Sequence, residues 1–516
     1  MAFVLVGFMG AGKSTAASEL AAAAGVSAID SDALLEERLG HPVVREFAIN
    51  GEAAFRAAEE ELVCELLARA GKGEVVALGG GSVLSERVRA ALAEHVTVLL
   101  DIDPQTAWER VHSSPGGAAR PLARDRDAFT VLHAKRDELY EELADAIFTE
   151  MPLGAVARAL PALDALAAAP ADARLLWAHS SSGEYPVLVA RGLLDDAGLA
   201  EMLWPLDRSS SRAFCVSDEM VAGLYGERLG ELAGEIVIPA GEQSKTLASA
   251  ERVWHELVAA GMTRADHVVA LGGGVVGDLA GFCAGTYQRG VPVVQVPTTL
   301  VAQVDSAYGG KTGVDLPEAK NYVGVYHQPA GVLVDPDTLS TLPAAELAAG
   351  WVEVLKTALI AGGRLWEDVS GGGEVNERTI LACARTKLAV VAEDERDGGR
   401  RQVLNLGHTV GHAIETATGY ARFRHGEAVG LGLLAALTLS GQPELREQVR
   451  ELLSAHELPV ALEDVPAADV IDAISRDKKR VGASVPFVLV RAPGDVIHGR
   501  EVEPNDLRAA VEELVA

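Results

Sequence analysis

Residues 7–15 read GFMGAGKST, and the fold of the first part of the chain can be predicted from this loop and its flanks. It follows the apolar run AFVLV and precedes the helix-forming run AASELAAAA, so the sequence predicts a strand, a glycine loop and a helix in succession. The context fits the G-x-x-x-x-G-K-S/T pattern, in which glycines let backbone N–H groups turn inward on phosphates. Lys13 is expected to reach the terminal phosphates, and Ser14 to offer its hydroxyl to Mg²⁺. The residues predicted to bind ATP in this loop are Gly10, Ala11, Gly12, Lys13, Ser14 and Thr15.

Short β-rich runs alternate with helical stretches on both sides of the segment PALDALAAAPADA at 161–173, which is rich in alanine and proline and is called the seam. The runs are FVLVGF, EVVALGG and HVTVLLDI before the seam and RAFCVSD, EIVIP, HVVALGGG and VPVVQVP after it. Such alternation is typical of α/β units with parallel sheets. Beyond residue 340 the sequence predicts successive helices, for example over AAELAAGWVEVLKTALI. The predicted fold class is α/β, with an α/β domain at 1–160, a partly helical linker at 161–173, a second α/β domain at 174–338 and a mainly α-helical domain at 339–516.

The bulk composition limits the class of protein. At 516 residues the chain exceeds the ~250–300 residues at which one hydrophobic core stops growing, so several domains are expected. With 74 acidic against 45 basic residues the net charge is -29, which argues against attraction to nucleic acid or to an anionic membrane. The cysteines Cys64, Cys215, Cys283 and Cys383 show no C-x-x-C spacing and favour a reducing, cytoplasmic location. Neither a signal peptide nor a membrane-spanning stretch of ~18 apolar residues is predicted.

The phosphate acceptor has to be inferred from residues downstream of the glycine loop. In chain order these are IDSD, AAFRAAEE, LGGGSV, AARPL and AKRDELY, and the set resembles shikimate kinase over residues 1–160. The resemblance implies that Asp32 faces the hydroxyl that is phosphorylated, with Lys13 and Arg120 neutralising the transferring phosphoryl group. Arg110 would lie against adenine. The implied shikimate-binding residues are Asp32, Arg56, Gly79, Gly80, Gly81 and Arg136, of which the two arginines would clamp the carboxylate.

Simpler structural roles stand beside these assignments. Asp32 directly precedes the helical run ALLEERL, and aspartate is often used as a helix N-cap. Arg56 and Arg136, taken in isolation, would equally fit a solvated helix face.

The second half begins with a different phosphate-binding pattern. The run ALGGGVVGDLAGFCAGTYQRG at 270–290 starts as a buried strand and turns on three glycines into a helix of small residues. It is not the G-x-G-x-x-G fingerprint, yet it also removes side chains where a pyrophosphate would approach a helix N-terminus. It is followed in order by PTTLVAQVDSAYGGKTGVD, AKNYVGVYHQP, AGWVEVLK, VLNLGHTVGHAIE and FRHGEAVG. Together these motifs resemble 3-dehydroquinate synthase over 174–516.

This second resemblance implies conversion of 3-deoxy-D-arabino-heptulosonate 7-phosphate into 3-dehydroquinate, with NAD recycled and with zinc or cobalt as a Lewis acid. In a chain of net charge -29, such an anionic substrate needs local cations. The implied NAD-binding residues are Asp218, Glu242, Lys245, Gly273, Gly274, Asp278, Thr298, Thr299 and Lys320. The implied substrate-binding residues are Arg289, Asp305, Lys311, Asn321, Lys356, Lys387, Arg401, Asn405, His412 and one of Lys478 or Lys479. The implied catalytic residues among them are Asp305, Lys311, Lys356, Arg401, Asn405 and His412.

Two histidines, His408 and His412, raise the question of which side chains hold the metal. A spacing of four places both on one helix face, and this spacing alone favours both as ligands. The resemblance instead implies Glu353, His408 and His425 as ligands, with His412 beside the substrate as a proton relay. A purely structural His412 is the remaining alternative. Asn405, three residues before His408, is predicted to share its helix face.

The sequence thus predicts a bifunctional enzyme of the shikimate pathway, with a P-loop kinase domain followed by an NAD-binding domain and a helical metal-binding domain. ATP with Mg²⁺ would serve the first half, and the second half is expected to form a homodimer. Two alternatives remain open. In the first alternative, the second half is a related sugar-phosphate cyclase or polyol dehydrogenase. In the second alternative, one half is a noncatalytic regulatory module. Val352, before the implied ligand Glu353, is larger than the family pattern leads us to expect.

Overall fold

The computed structural model describes residues 1–113, 121–152, 154–195, 211–475 and 485–515. The chain divides into two compact units, Met1–Ala178 with Pro186–Leu188 and His179–Tyr185 with Val189–Ala516. The predicted site residues Arg120, Lys478 and Lys479 lie outside the described residues.

The first unit contains a parallel sheet with helices between its strands. The strands are β1 (Phe3–Val6), β2 (Ala28–Asp30), β3 (Val75–Ala77), β4 (Val96–Asp101), β5 (Ala146–Thr149) and β6 (Arg174–Ser180), and β7 (Gly183–Val189) follows them in the chain. The spatial order is β2-β3-β1-β4-β5-β6, with all neighbours parallel. Strand β1 is buried throughout, which explains its uninterrupted apolar sequence.

The helices of this unit connect the strands. They are α1 (Lys13–Ala24), α2 (Ser31–Leu39), α3 (Val43–Arg69), α4 (Glu86–Leu92), α5 (Pro104–Ser113), α6 (Arg126–Leu143), α7 (Ala155–Arg158) and α8 (Leu160–Ala168). Because the loop GFMGAGKST joins β1 to α1, the predicted succession of strand, glycine loop and helix is confirmed.

The seam between the halves is more ordered than a linker. Helix α8 covers most of it and buries Ala162, Leu163, Ala165 and Leu166. It packs against α1 and β4 of the first unit. The linker prediction therefore needs correction over residues 161–168. Alanine and leucine supply both helix propensity and an apolar face there, so this stretch belongs to the core of the first unit.

The second unit begins with another parallel sheet. Its strands are β8 (Ala213–Asp218), β9 (Gly234–Ile238), β10 (His267–Gly272), β11 (Val293–Pro297) and β14 (Gly331–Val334), in the order β14-β11-β10-β8-β9. Strands β12 (Lys311–Leu316) and β13 (Ala319–Tyr326) form a separate antiparallel hairpin. The intervening helices are α9 (Glu219–Tyr225), α10 (Leu247–Ala259) and α11 (Gly274–Thr286). Each of the β-rich runs quoted from the sequence contains a strand, so the predicted α/β class is confirmed.

The last part of the chain is mainly helical, as predicted. Its helices are α12 (Ala344–Ala361), α13 (Gly363–Ser370), α14 (Glu377–Glu393), α15 (His408–Ala417), α16 (His425–Leu439), α17 (Pro443–Ala455), α18 (Ala467–Ser475) and α19 (Pro504–Glu512). The antiparallel hairpin of β15 (Phe487–Ala492) and β16 (Asp495–Arg500) was not predicted. Among the helices in the described ranges, none combines the length and apolar character needed to cross a membrane.

Candidate active sites

The glycine loop of the first unit has the geometry of a phosphate cradle. Gly10 and Gly12 both have φ of 89°, in the left-handed region that favours glycine. A Cβ on Gly10 would lie 2.7 Å from the carbonyl oxygen of Ala107, so the loop also needs glycine for its close approach to α5. The Lys13 ammonium folds back over the loop and donates to the carbonyl oxygens of Gly7 and Phe8, at 2.9 and 3.2 Å. A lysine held over such a loop is placed to reach a phosphate bound there.

Two aspartates follow strand β2 and have different roles. Asp30, not Asp32, is the N-cap of α2, since its Oδ1 accepts from the backbone N–H groups of Asp32 and Ala33. The alternative that Asp32 serves as the N-cap is therefore wrong. The other oxygen of Asp30 accepts from Ser14 Oγ at 2.5 Å, next to the loop. Asp30 thus belongs to the predicted Mg²⁺ position, which the sequence analysis assigned to Ser14 alone.

The run Gly79-Gly80-Gly81 brings the predicted acceptor-binding residues together. A Cβ on Gly79 would lie 2.6 Å from Asp32 Oδ1, and a Cβ on Gly81 would collide with the guanidinium of Arg56. On the remaining side, Arg136 donates from Nη1 to the Gly80 carbonyl oxygen at 3.2 Å. Gly79 and Gly81 therefore make room for the Asp32 carboxylate and the Arg56 guanidinium, and Arg136 approaches the same run through the Gly80 carbonyl.

Burial distinguishes these arginines from surface charges. Arg136 is 3% exposed and Arg56 has a side chain that is 22% exposed, so the solvated-face alternative fails for both. Arg56 donates to the buried carboxylate of Glu59 at 2.5 Å, and Ser82 donates to the other oxygen of Glu59 at 2.9 Å. Sequence analysis missed Glu59, although it lies in the quoted motif AAFRAAEE. This carboxylate fixes the orientation of the Arg56 guanidinium.

In the second unit, the predicted nucleotide-binding residues follow the carboxyl ends of adjacent strands. Asp218 ends β8, Gly273 and Gly274 follow β10, and Thr298 and Thr299 follow β11. A Cβ on Gly273 would lie 2.8 Å from Thr299 Cγ2, so the loop and the threonines are packed closely. The crevice outside the carboxyl ends of parallel strands is where open α/β sheets bind ligands. The N-terminus of α11 at Gly274 faces the same edge and favours a phosphate.

The charged members of the predicted nucleotide site form ion pairs at this edge. Lys245 lies 2.5 Å from Asp278, and Lys320 on β13 lies 3.5 Å from Glu242. Asp218 accepts from Met220 N and caps α9 through Oδ1. The structure therefore places the predicted nucleotide-binding residues along one edge, from β8 to the β12–β13 hairpin.

A buried array of charges lies between the sheet and the helices. Lys356 is 1% exposed and lies 2.6 Å from Asp305 and 2.5 Å from Glu353, while Lys387 also contacts Asp305. Burial lowers the pKa of the Lys356 ammonium, but the carboxylates of Asp305 and Glu353 outweigh it and raise this pKa above its ordinary value. Burial dominates at Lys387 and lowers its pKa despite the contact with Asp305. The array thus holds one firmly charged lysine and one that releases its proton more readily.

The imidazoles of His408, His412 and His425 meet beside Glu353. One ligand atom from each histidine lies within 4.8 Å of those of the other two. Glu353 Oε1 lies 3.6 Å from the Nε2 atoms of both His408 and His425. Glu353 is 1% exposed, and its Oε1 has no hydrogen-bond partner among the described residues. A buried carboxylate oxygen and imidazole nitrogens facing one point fit a zinc or cobalt ion.

Glycines allow the helices that carry these ligands to approach closely. A Cβ on Gly426 would collide with the backbone of Ala349 in α12, the helix of Glu353. A Cβ on Gly432 would likewise collide with the carbonyl of Gly407, which directly precedes α15. Helix α16 therefore packs closely against both neighbours, and this packing places His425 beside Glu353 and His408. Val352 is buried in the same helix as Glu353, and its Cγ2 would lie 3.7 Å from a Cβ on Gly430, an ordinary van der Waals contact.

Replacement of Gly426 by Ala is expected to destabilise the second unit and weaken metal binding, since the added Cβ would meet backbone rather than a mobile side chain. Overpacking of this kind costs about 1–3 kcal/mol. Denaturant unfolding of the purified variant measures the change. The matched control is Gly223→Ala in α9, where no heavy atom lies within 4 Å of the Cβ position. The control is expected to be neutral or stabilising by up to about 1 kcal/mol. Equal stability of Gly426→Ala and the parent chain would contradict the packing argument.

One local prediction is wrong. Asn405 does not share a helix face with His408, because Asn405 ends a short 3₁₀ helix at Arg400–Asn405 and α15 begins only at His408. Gly407 separates the two elements with a φ of 77°. The left-handed backbone at this glycine redirects the chain. His408 and His412 do lie on one helix, as predicted.

Comparison with known proteins identifies the two parts of the chain. Residues 9–159 match the family model described as "Shikimate kinase". Residues 235–349 and 350–480 match the models for the N-terminal and C-terminal parts of 3-dehydroquinate synthase. The 3-dehydroquinate synthase of Halorhodospira halophila is 42% identical over 358 residues, which cover 66% of this chain and 100% of the relative. The chain belongs to the 3-dehydroquinate synthase family. It is a fusion in which a shikimate kinase domain precedes the synthase, so both activities belong to the shikimate pathway.

Further relatives agree with this assignment. The 3-dehydroquinate synthase of Symbiobacterium thermophilum is 43% identical and covers 64% of this chain and 98% of the relative. Among solved structures, a 2-epi-5-epi-valiolone synthase from Streptomyces hygroscopicus with NAD⁺ and Zn²⁺ bound is 28% identical. It covers 64% of this chain and 96% of its own, with a TM-score of 0.58. The synthase unit is therefore similar in fold to this NAD⁺- and Zn²⁺-bound 2-epi-5-epi-valiolone synthase.

The other cations predicted for the synthase substrate occupy separate positions. Lys311, at the start of β12, lies 2.5 Å from Asp397, a residue that the sequence analysis missed. Arg401 is 1% exposed and donates to the carbonyl oxygens of Glu395 and Gly309. Asn321 lies on β13 with a φ of 53°. Their contact with substrate stays a prediction.

Arg289 lies beyond the end of α11 that is remote from Gly274. It follows α11, a helix of 13 residues and hence roughly 20 Å long. The opposite end of that helix, at Gly274, lies against Ser306, the neighbour of Asp305. Arg289 was predicted to complete the polar shell around the substrate, and this contact stays a prediction.

In the kinase unit, Arg110 lies in the last turn of α5. Ala107 and Val111 of the same helix face Gly10 of the glycine loop. This places Arg110 near the nucleotide loop, and its predicted contact with adenine stays untested.

Proposed function

We propose that the kinase unit phosphorylates shikimate at the site around Asp32, and that the synthase unit acts on 3-deoxy-D-arabino-heptulosonate 7-phosphate at the site around Glu353. The observation that carries the second assignment is the meeting of Glu353, His408 and His425 next to the buried array of Lys356, Asp305 and Lys387. The identities of 40–43% to 3-dehydroquinate synthases favour this substrate over that of another cyclase or a polyol dehydrogenase.

In the kinase unit, the side chains position and neutralise charge. Lys13 and the loop amides would bind the ATP phosphates, and Ser14 with Asp30, whose side chains lie 2.5 Å apart, would hold Mg²⁺. Arg56 and Arg136 bind the shikimate carboxylate, and Asp32 accepts the proton of the attacking hydroxyl. Phosphoryl transfer depends mainly on such positioning and electrostatic stabilisation.

In the synthase unit, Glu353, His408 and His425 would hold zinc or cobalt, and the edge from Asp218 to Lys320 would hold NAD. When bound, the metal ion supplies a Lewis acid and NAD supplies a hydride acceptor that is regenerated. Support for the metal comes from the unpartnered Oε1 of Glu353 and the imidazole nitrogens around it. Support for NAD comes from the buried Thr298 Oγ1, which has no hydrogen-bond partner among the described residues, beside the N-terminus of α11.

The protein's own groups then handle the substrate's charges and protons. Lys356 stays charged and fixes the carboxylate of Asp305 at 2.6 Å. Lys387, whose pKa is lowered by burial, is suited to give up a proton. Lys311, Arg401 and Asn321 would bind the phosphate. His412 lies near the metal ligands, with its ring centroid 5.3 Å from that of His408, and would hold a proton for the substrate.

Replacement of His412 by Ala is expected to leave one metal ion bound per synthase site while reducing turnover by about 10²–10⁴-fold, the usual contribution of a general acid or base. The matched variant His425→Ala is expected to lose the metal as well. Metal content by mass spectrometry and the rate of phosphate release measure the two effects. Loss of metal from His412→Ala would show that His412 is itself a ligand.

We also propose that the synthase unit forms a homodimer in which Arg289 serves the partner's site, since its own site lies at the far end of α11. Arg289→Ala and His425→Ala homodimers are both expected to be nearly inactive. A hybrid dimer of these two variants should recover activity, because one site would keep an intact Arg289 and an intact metal site. No recovery in purified hybrids would contradict this arrangement.

A cytoplasmic location is proposed from the four cysteines, all of which are free.

A further inference from the structure

Glu415 is a buried carboxylate for which neither the sequence analysis nor the proposed mechanism has a role. It ends the quoted run VLNLGHTVGHAIE and lies on α15, seven residues after His408 and three after His412. These spacings put all three side chains along one side of the helix. Glu415 is 3% exposed. Charged residues are seldom buried without partners, so its contacts indicate its role.

The partners of Glu415 come from two different elements. Its Oε2 lies 3.5 Å from Nδ1 of His425, the first residue of α16. Its Oε1 lies 3.4 Å from Nζ of Lys320 on β13. Lys320 is held from other sides by Glu242 at 3.5 Å and by the ring of Tyr420 at 4.7 Å. The carboxylate therefore links a predicted metal ligand to a lysine on the nucleotide-binding side.

The two nitrogens of the His425 ring face two carboxylates. Nε2 points to Glu353 Oε1 at 3.6 Å, and Nδ1 points to Glu415. A metal ion takes only one nitrogen, and the hydrogen bond made by the other nitrogen sets the tautomer and the ring orientation. His408 has the same arrangement, with Nδ1 3.1 Å from the carbonyl oxygen of Leu406 and Nε2 facing Glu353.

We propose that Glu415 is a positioning residue of the metal site: it accepts the Nδ1–H of His425 and thereby presents Nε2 toward Glu353, while Lys320 holds the carboxylate in place. This inference rests on the proposed metal ligands. Loss of such an outer carboxylate usually weakens metal binding by about 10–100-fold.

The test is the dissociation constant of Zn²⁺, measured by chelator competition on the full chain, for Glu415→Leu and Glu415→Gln. Glu415→Leu removes the acceptor and is expected to weaken binding by about 10–100-fold. Glu415→Gln keeps a carbonyl acceptor but loses the charge, and an intermediate loss is expected. The Glu415→Gln variant also tests the proposal if Glu415→Leu does not fold. The absorption spectrum of bound Co²⁺ reports whether the ligand geometry has changed. The matched control is Glu395→Gln, another buried carboxylate of the same unit that contacts Ser181, Ser182 and Gln328 instead.

A further variant, His408→Ala, separates failure of this inference from failure of the metal site. If His408→Ala loses Zn²⁺ while both Glu415 variants and the control bind it within twofold of the parent chain, the role of Glu415 is wrong and the metal site stands. If His408→Ala binds Zn²⁺ like the parent chain, the metal site itself is wrong and the role of Glu415 falls with it. Weakened binding in the Glu415 variants, with an unchanged control, supports the inference.

Discussion

Replacement of Lys13 by Met is expected to lower kcat/KM for shikimate phosphorylation by at least about 10²–10³-fold, the usual cost of removing one preorganised charged donor from a transition state. The Lys13 ammonium lies over the glycine loop, 2.9 Å from the Gly7 carbonyl oxygen. From this position the Lys13 ammonium can stabilise the negative charge of the phosphoryl group during its transfer. Methionine keeps the length and apolar stem of lysine but carries no charge, so the fold of the loop should survive.

Coupled assays of both activities check this expectation. The matched control is Lys72→Met, which removes an exposed lysine of the same unit and should leave the kinase rate unchanged. In Lys13→Met, phosphate release from 3-deoxy-D-arabino-heptulosonate 7-phosphate should continue at the parent rate. A Lys13→Met chain that phosphorylates shikimate normally would indicate that the first unit uses another group or has a noncatalytic role.

Replacement of Lys356 by Met is expected to abolish synthase turnover and also to destabilise the unit. Lys356 is 1% exposed and lies within 2.6 Å of both Asp305 and Glu353. Without its ammonium, the buried Glu353 loses its nearest cation and keeps only the imidazoles of His408 and His425 at 3.6 Å, whereas Asp305 keeps Lys387. Removing one partner of a buried ion pair costs about 3–5 kcal/mol. The free energy of unfolding in denaturant, measured after chelation, gives this value directly.

The control for this effect is Lys311→Met in the same unit. Lys311 also pairs with a carboxylate, Asp397 at 2.5 Å, but its side chain is 45% exposed. A pair of this exposure contributes at most about 1 kcal/mol. Lys311→Met should therefore lose substrate affinity with little change in stability. If Lys356→Met and Lys311→Met had the same free energy of unfolding, the ion pairs of the buried Lys356 would not stabilise the unit.

The sequence predicts the elements whose pattern is local. The run AFVLV with its glycine loop gives β1 and α1, and the fully apolar VPVVQVP gives β11. Strand β2 could not be predicted in this way, because its three residues Ala28–Asp30 end in a charged side chain. The seam at 161–173 looked like a linker since no charge pattern marks it. Only tertiary packing shows that α8 is buried.

Candidate site residues were predicted from the sequence where a family motif contains them at a known position. They were missed where only their three-dimensional contacts identify them. Asp30, Glu59 and Glu415 all lie inside quoted motifs, yet spacing does not show which carboxylate turns toward Ser14, Arg56 or His425. The position of Asn405 was predicted wrongly because one helix was assumed to include both Asn405 and His408. The left-handed φ of 77° at Gly407 separates the two residues. Order along the chain likewise does not show that Arg289 lies beyond the end of α11 that is remote from Gly274.

Phosphate release from 3-deoxy-D-arabino-heptulosonate 7-phosphate by the purified full chain is the most direct test of the synthase site. The chain is first freed of transition metals by chelation and returned to Mg²⁺, and the assay is run with and without NAD and with and without added Zn²⁺. We expect release only when NAD and Zn²⁺ are both present, with 3-dehydroquinate as product and no accumulation of NADH. A folded chain that still phosphorylates shikimate but releases no phosphate, or that accumulates NADH, would contradict the assignment of the synthase site.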